Sequence, residues 1–126
     1  MYKSEENWRR TDEYFISQLV DEDDVLLEVK RNSIINDLPH HEVAANQGKF
    51  LSIIAQLINA KRILEFGTLA GYSTIWFART VGNKGFVITL EVKKKYAEIA
   101  RENFKRARVN DIVEVMEGPA IVLTPA

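Results

Sequence analysis

The sequence predicts an α/β fold in which helices lead into a three-stranded parallel sheet of the doubly wound type. From Lys61 onward, short apolar stretches alternate with amphipathic ones, as in parallel strands joined by helical crossovers. A glycine-punctuated turn from Gly67 to Gly71 joins the first strand to a helix, and Glu91 closes the second strand twenty residues after Gly71. We expect only the amino-terminal half of such a fold, because no strand can be identified after the third.

Residues 1–60 are expected to form a leading helical segment. Apolar residues from Trp8 to Leu19 recur at helical spacing and predict a first helix. Asp21 is interpreted as the N-cap of a second helix with an acidic first turn. This helix is expected to end near Asp37, since Pro39 cannot continue it. An amphipathic pattern predicts a third helix from about Gln47 to Ala60.

Residues 61–126 are expected to form a βαβαβ unit, and with the helical segment they make one domain, residues 1–126. Its elements are Arg62 to Phe66, Tyr72 to Val81, Gly85 to Glu91, Lys94 to Arg108 and Ile112 to Glu117. Ile63 and Leu64 form an apolar run typical of a strand covered on both faces. The first strand lies in the middle of a doubly wound sheet, so without later strands one of its edges is unpaired. We therefore expect a homo-oligomer formed through this exposed first-strand edge; the alternative is that the chain is a piece of a longer protein.

Composition limits the function classes. The 126 residues carry a formal net charge of -1, which gives no broad positive field for nucleic acid or an anionic membrane surface. The absence of cysteine excludes a disulfide framework and thiolate chemistry. No apolar run approaches the roughly 20 residues that span a bilayer. We predict a cytoplasmic protein without nucleic-acid or membrane partners, and interpret His40 and His41 as a polar loop without a metal.

The glycine-punctuated turn has the layout of half of an adenosine-binding site. It lacks the middle glycine of the dinucleotide pattern G-x-G-x-x-G, which disfavours a nicotinamide-dependent oxidoreductase. Tyr72 and Ser73 open the following helix, whose amino terminus suits a small anion such as a carboxylate. Glu65 is placed to attract a cation, and Glu91 to accept hydrogen bonds from ribose hydroxyls. These features favour S-adenosylmethionine. The alternative is that the glycines only shape a strand-to-helix turn, that Glu65 is a solvated strand-end acid and that Glu91 caps the following helix.

At these residues the chain resembles the class I S-adenosylmethionine-dependent O-methyltransferases, in the group that includes catechol and caffeoyl-coenzyme A O-methyltransferases. The resemblance covers nearly the whole chain and is carried above all by Ile63 to Thr74, by Thr89 to Glu91 and by Val115 to Ala120. It implies a Rossmann-like fold, S-adenosylmethionine or S-adenosylhomocysteine as the bound cofactor, a divalent metal such as Mg²⁺, and a small hydroxylated acceptor.

The resemblance also implies which residues bind the cofactor. The methionine portion is near the glycine turn and the first residues of the helix, the ribose is held by Glu91, and the adenine lies near the end of the third strand. The implied cofactor-binding residues are Val43, Glu65, Gly67, Thr68, Leu69, Gly71, Tyr72, Ser73, Glu91, Gly118 and Ala120.

The family's metal ligands and catalytic residues follow the third strand and cannot be mapped onto this sequence. We therefore expect no catalytic and no metal-binding residues in this chain, which alone should bind the cofactor with little or no methyl transfer, since the metal orients the acceptor and favours its deprotonation. One alternative is a noncatalytic binding or assembly module with a vestigial cofactor pocket. A fragment of an NAD-dependent oxidoreductase is the less favoured one.

Overall fold

A computed structural model describes residues 3–123 of the chain. The expected order is confirmed, with helices preceding a βαβαβ unit. The elements are α1 (Lys3–Leu19), α2 (Asp24–Ile35), α3 (Ala45–Leu57), β1 (Arg62–Phe66), α4 (Tyr72–Val81), β2 (Phe86–Glu91), α5 (Lys94–Arg106), β3 (Val113–Glu117) and α6 (Ala120–Leu123). Within the described residues, every helix is too short or too polar to cross a membrane.

The three strands are parallel and lie in the order β1-β2-β3. Helix α4 packs on β1 and β2, α5 packs on β2 and β3, and α2 contacts both helices, while α3 contacts α4. The core between these layers is apolar; its largest fully buried apolar side chains are Leu26, Val29, Ile75, Val87 and Phe104. The register places Glu65 of β1 beside Thr89 of β2, at the carboxyl end of the sheet.

Strand β1 forms one edge of this sheet, as expected. The expectation that both faces of β1 are covered is wrong at Leu64, which is 51% exposed, and Phe66 is 63% exposed. Side chains alternate along a strand, so the helix layer that packs against Ile63 leaves Leu64 and Phe66 on the opposite face.

The helix ends differ from the expected ones for identifiable reasons. Asp23, and not Asp21, is the N-cap of α2, because its carboxylate accepts the Leu26 N–H at 3.0 Å. Burial opposes ionisation of Asp23, but the Leu26 amide and the Arg79 guanidinium lower the pKa of the carboxyl below its ordinary value. The wrong choice of cap came from a run of acids in which several residues suited the position.

Helices α3 and α5 end earlier than predicted, each two positions before a residue in the left-handed region. Asn59 (φ 51°) and Arg108 (φ 58°) have this conformation. The next amides fold back onto the helices, Ala60 N–H to the Ala55 carbonyl and Val109 N–H to the Phe104 carbonyl, both at 2.9 Å. These hydrogen bonds form Schellman-type ends that stop the helices before the predicted limits.

Candidate functional site

The loop between β1 and α4, residues 67–71, is called the glycine loop here. Gly67 (φ 87°), Leu69 (φ 54°) and Gly71 (φ 89°) all have left-handed backbone conformations. Glycine adopts such φ values at no steric cost, whereas Leu69 must be held there by its surroundings. At Gly71 space is also limiting, because a Cβ would lie 2.4 Å from Phe104 Cε1.

The carboxylate of Glu91 holds this loop from the end of β2. Its Oε1 accepts the N–H of Leu69 at 2.8 Å and that of Thr68 at 3.3 Å, and its Oε2 accepts the N–H of Lys93 at 3.1 Å. The side chain is buried. These bonds account for the left-handed conformation of Leu69. A carboxylate offers about four acceptor positions, so Glu91 retains capacity for a further donor.

Glu65 is engaged by hydroxyl groups on both of its carboxylate oxygens. Oε2 accepts from Ser73 at 2.6 Å, and Oε1 accepts from Thr74 at 2.5 Å and from Thr89 at 2.8 Å. The Thr89 hydroxyl also bonds that of Thr68 at 2.7 Å, which ties the network to the glycine loop. Burial raises the pKa of Glu65 above its ordinary value, and the hydroxyl donors offset only part of this rise. Glu65 therefore fixes the start of α4, a role that we did not predict.

Tyr72 begins α4 and is buried. Its hydroxyl donates to Glu22 Oε2 at 2.8 Å, and Lys30 Nζ lies 2.7 Å from the same oxygen and 5.2 Å from the centre of the Tyr72 ring. Burial raises the pKa of Tyr72 above its ordinary value, and the Glu22 carboxylate adds to this effect. The phenol therefore remains a proton donor that joins α4 to the region preceding α2.

Asn103 on α5 was missed by the sequence analysis. It is fully buried, donates from Nδ2 to the Ala70 carbonyl at 2.9 Å, and accepts at Oδ1 from Asn32 at 2.9 Å and Arg106 at 2.7 Å. The available signal was a polar residue in the apolar stripe of an amphipathic helix, beside Ala100 and Phe104.

Three adjoining cavities surround the glycine loop, and Gly67 lies in the wall of each. The first, of about 250 Å³, is lined by Val43, Glu65, Tyr72 and Ser73 among others. The second, of about 450 Å³, includes Leu69, Glu91 and Tyr96. The third, of about 190 Å³, includes Glu91, Gly118 and Ala120. Apart from its chain neighbours, no described residue has an atom within 4 Å of a Cβ placed at Gly67, so the space in front of this backbone is open to a ligand.

The structure thus brings the sequence-predicted site residues together around the glycine loop. Thr68 and Leu69 line the first cavity together with Val43, Glu65, Tyr72 and Ser73. Gly71 is the exception, because it lies behind the cavity walls, buried against Phe104. Its part in the site is to shape the loop.

A separate cavity of about 460 Å³ lies between α1 and α3. Its walls are mainly apolar, with Phe15, Leu19, Phe50 and Ile53 among them, and no carboxylate of the described part of the chain lines it. We place the candidate site at the glycine loop instead, because buried carboxylates and open backbone converge there. Among residues 3–123, no group of three or more His, Cys, Asp or Glu side chains could hold a metal ion.

The family model for O-methyltransferases matches residues 16–124 of this chain. Among curated relatives, the catechol O-methyltransferase of Mycobacterium tuberculosis is 48% identical over 114 residues, which are 90% of this chain and 52% of the relative. The catechol O-methyltransferase of Niastella koreensis is 46% identical over the same shares. The chain spans about half the length of these curated relatives.

Solved structures agree with this assignment. The O-methyltransferase from Bacillus cereus, in complex with SAH (S-adenosylhomocysteine), has a TM-score of 0.90 at 46% identity, over 94% of this chain and 54% of that one. The O-methyltransferase TomG from Streptomyces achromogenes, in complex with SAM (S-adenosylmethionine), has a TM-score of 0.89 at 40% identity, over 98% and 55%. The fold is therefore the Rossmann-like one of these methyltransferases, and the chain belongs to the O-methyltransferase family.

Proposed function

We propose that this chain is the S-adenosylmethionine-binding portion of an O-methyltransferase that acts on a small, catechol-like hydroxylated acceptor. The observation that carries the proposal is the meeting of three cavities at Gly67, between the carboxylates of Glu65 and Glu91 at the carboxyl ends of β1 and β2. Relatives named as catechol O-methyltransferases support the acceptor class, and relatives crystallised with SAM or SAH support the cofactor.

The residues around the loop suit the parts of this cofactor. The open side of Gly67 admits the junction between ribose and methionine, and the remaining acceptor capacity of Glu91 suits ribose hydroxyls. Val43 and Ser73 border the methionine portion, while the cavity of Gly118 and Ala120 takes the adenine. When bound, the cofactor supplies a methyl group on a sulfonium sulfur for transfer to a hydroxyl oxygen. The described residues include no metal-ligand cluster, so no metal-dependent step is assigned to them.

Calorimetric titration of the 126-residue chain tests the proposal. We expect S-adenosylmethionine and S-adenosylhomocysteine to bind and NAD not to bind, since the loop lacks the middle glycine of dinucleotide sites. Binding of neither S-adenosyl ligand would contradict the proposal and favour a noncatalytic module with a vestigial pocket. Binding of NAD alone would favour an oxidoreductase fragment.

We further propose that this chain by itself binds the cofactor without transferring its methyl group. Methyl transfer needs the acceptor oxygen, the methyl carbon and the sulfur nearly in line, which requires a complete acceptor cleft. The test is incubation with methyl-labelled S-adenosylmethionine, catechol and Mg²⁺. Labelled product made by the purified chain would contradict this part of the proposal and leave cofactor binding intact.

Self-association through the β1 edge and a cytoplasmic location are proposed as well. The position of β1 at the edge of the sheet supports the first, since an unpaired strand presents a row of free backbone donors and acceptors. The absence of cysteine suits a reducing compartment and supports the second.

A further inference from the structure

The cavity that holds Ser73 and Val43 has an acidic wall. Its lining includes the carboxylates of Glu42 and Glu65, and within residues 3–123 it includes no lysine or arginine. A concave wall with this charge attracts a cationic group, particularly where the protein excludes water.

Glu42 differs from the other carboxylates of the site in its hydrogen bonding. Its Oε2 is buried and accepts no hydrogen bond from any described residue. Glu65 and Glu91, by contrast, each use both oxygens for protein donors. A buried acceptor without a partner is costly, so such atoms in a folded protein call for a donor from a ligand or water.

The loop that carries Glu42 is anchored on both sides of this residue. The Ala44 N–H donates to Gln47 Oε1 at 3.1 Å at the start of α3, and Leu38 is buried in the core at the other end of the loop. Glu42 is therefore held beside Val43 in the cavity wall.

We propose that Glu42 receives the α-ammonium group of the methionine portion of the cofactor. This inference rests on the proposed function and assigns a further residue to it. A carboxylate oxygen needs an N–H or O–H donor, which the ammonium group supplies and the sulfonium does not. Glu91, to which the proposed function assigns the ribose hydroxyls, lines the other two cavities and not this one.

The experiment compares two ligands on matched variants of the 126-residue chain. The ligands are S-adenosylhomocysteine and its analogue in which hydrogen replaces the α-amino group. The variants are Glu42→Gln, which keeps size but removes charge, and Glu98→Gln, a control at an exposed position on α5. Affinities are measured by calorimetry, with thermal melting as the check on folding. If Glu42→Gln does not fold, Glu42→Asp is used, which keeps the charge and shortens its reach.

We expect Glu42→Gln to lower the affinity for S-adenosylhomocysteine about tenfold, as for loss of a charge-assisted hydrogen bond. The affinity for the deaminated analogue should not change. Glu42→Asp is also expected to weaken the binding of S-adenosylhomocysteine alone, whereas Glu98→Gln should change the affinity for neither ligand. An equal loss for both ligands, or no loss for the first, would overturn the inference while cofactor binding stands. Failure of the unaltered chain to bind any S-adenosyl ligand would overturn the proposed function and this inference together.

Discussion

The side-chain amide of Asn103 donates a 2.9 Å hydrogen bond to the carbonyl oxygen of Ala70, and so connects α5 directly to the glycine loop. The same side chain accepts from Asn32 on α2. One buried residue therefore holds the loop and two helices in a fixed relation.

Asn103→Ala should destabilise the protein by about 1–3 kcal/mol, because it leaves the Ala70 carbonyl and the Asn32 amide without their partner. Urea unfolding followed by far-UV circular dichroism measures the free energy of unfolding. Asn110→Ala, at an exposed position, is the control and should change little. Equal stability of the two variants would show that the connection is energetically unimportant.

Alanine at the two loop glycines should give opposite phenotypes. Gly71→Ala should unfold or strongly destabilise the chain, because its Cβ would collide with Phe104 and the φ of 89° is unfavourable. Gly67→Ala meets open space, so we expect only about 1 kcal/mol of backbone strain but loss of cofactor binding. Thermal melting and calorimetry separate the two effects. Full cofactor affinity in a folded Gly67→Ala variant would contradict the proposed position of the ligand.

Ser73→Ala and Glu91→Ala should each weaken S-adenosylmethionine binding by about 1–3 kcal/mol. The first removes a hydroxyl from the methionine cavity, and the second removes the acceptor that orders Leu69. Calorimetry on each variant checks this, with Ser17→Ala on the exposed part of α1 as the control. If both variants bind like the unaltered chain, the assigned cavities are not where the cofactor lies.

Glu65 should make stability fall as pH rises. Burial raises the pKa of its carboxyl in the folded chain above the ordinary value of 4.5, so the folded state keeps a proton that the unfolded state has lost. The free energy of unfolding therefore decreases with pH through the interval above about 4.5, and the contribution is complete only below it. Glu65→Gln removes this slope. The measurement is urea unfolding of both proteins from about pH 4.5 to 7, and parallel profiles would contradict the assignment.

A charge on the exposed face of β1 should reduce self-association. Leu64→Lys places an ammonium group on this edge strand, where lysine discourages pairing with another chain. Sedimentation velocity should show a shift from dimer to monomer. Leu57→Lys, at an exposed position on α3, is the matched control. If the unaltered chain is already a monomer at high concentration, the proposed oligomer is ruled out.

Much of the fold could be predicted because the local sequence patterns agreed with the tertiary packing. The bounds of β1 and α4 were predicted correctly, since the glycine loop separates a short apolar run from an amphipathic stretch. The exposure of Leu64 was not predicted, because the apolar pattern of a strand does not reveal which face its neighbours cover. The cap of α2 was not predicted either, because Asp23 is one of several neighbouring acids that suit this position.

The site could be predicted in outline but not in its connections. Carboxylates at adjacent strand ends indicated where Glu65 and Glu91 lie. Which donors they hold depends on register and helix packing, so Thr74 and Thr89 gave no local signal of their parts in the network. Asn103 stood out only as a polar residue in the apolar stripe of α5, which does not reveal its partners.

The convergence of three hollows on Gly67 has a consequence for inhibitor chemistry. Because this residue is the wall that all three share, a compound that fills more than one of them must pass in front of it. Compounds with a short flexible joint between a flat heteroaromatic end and a polar tail are thus the natural starting points for screening.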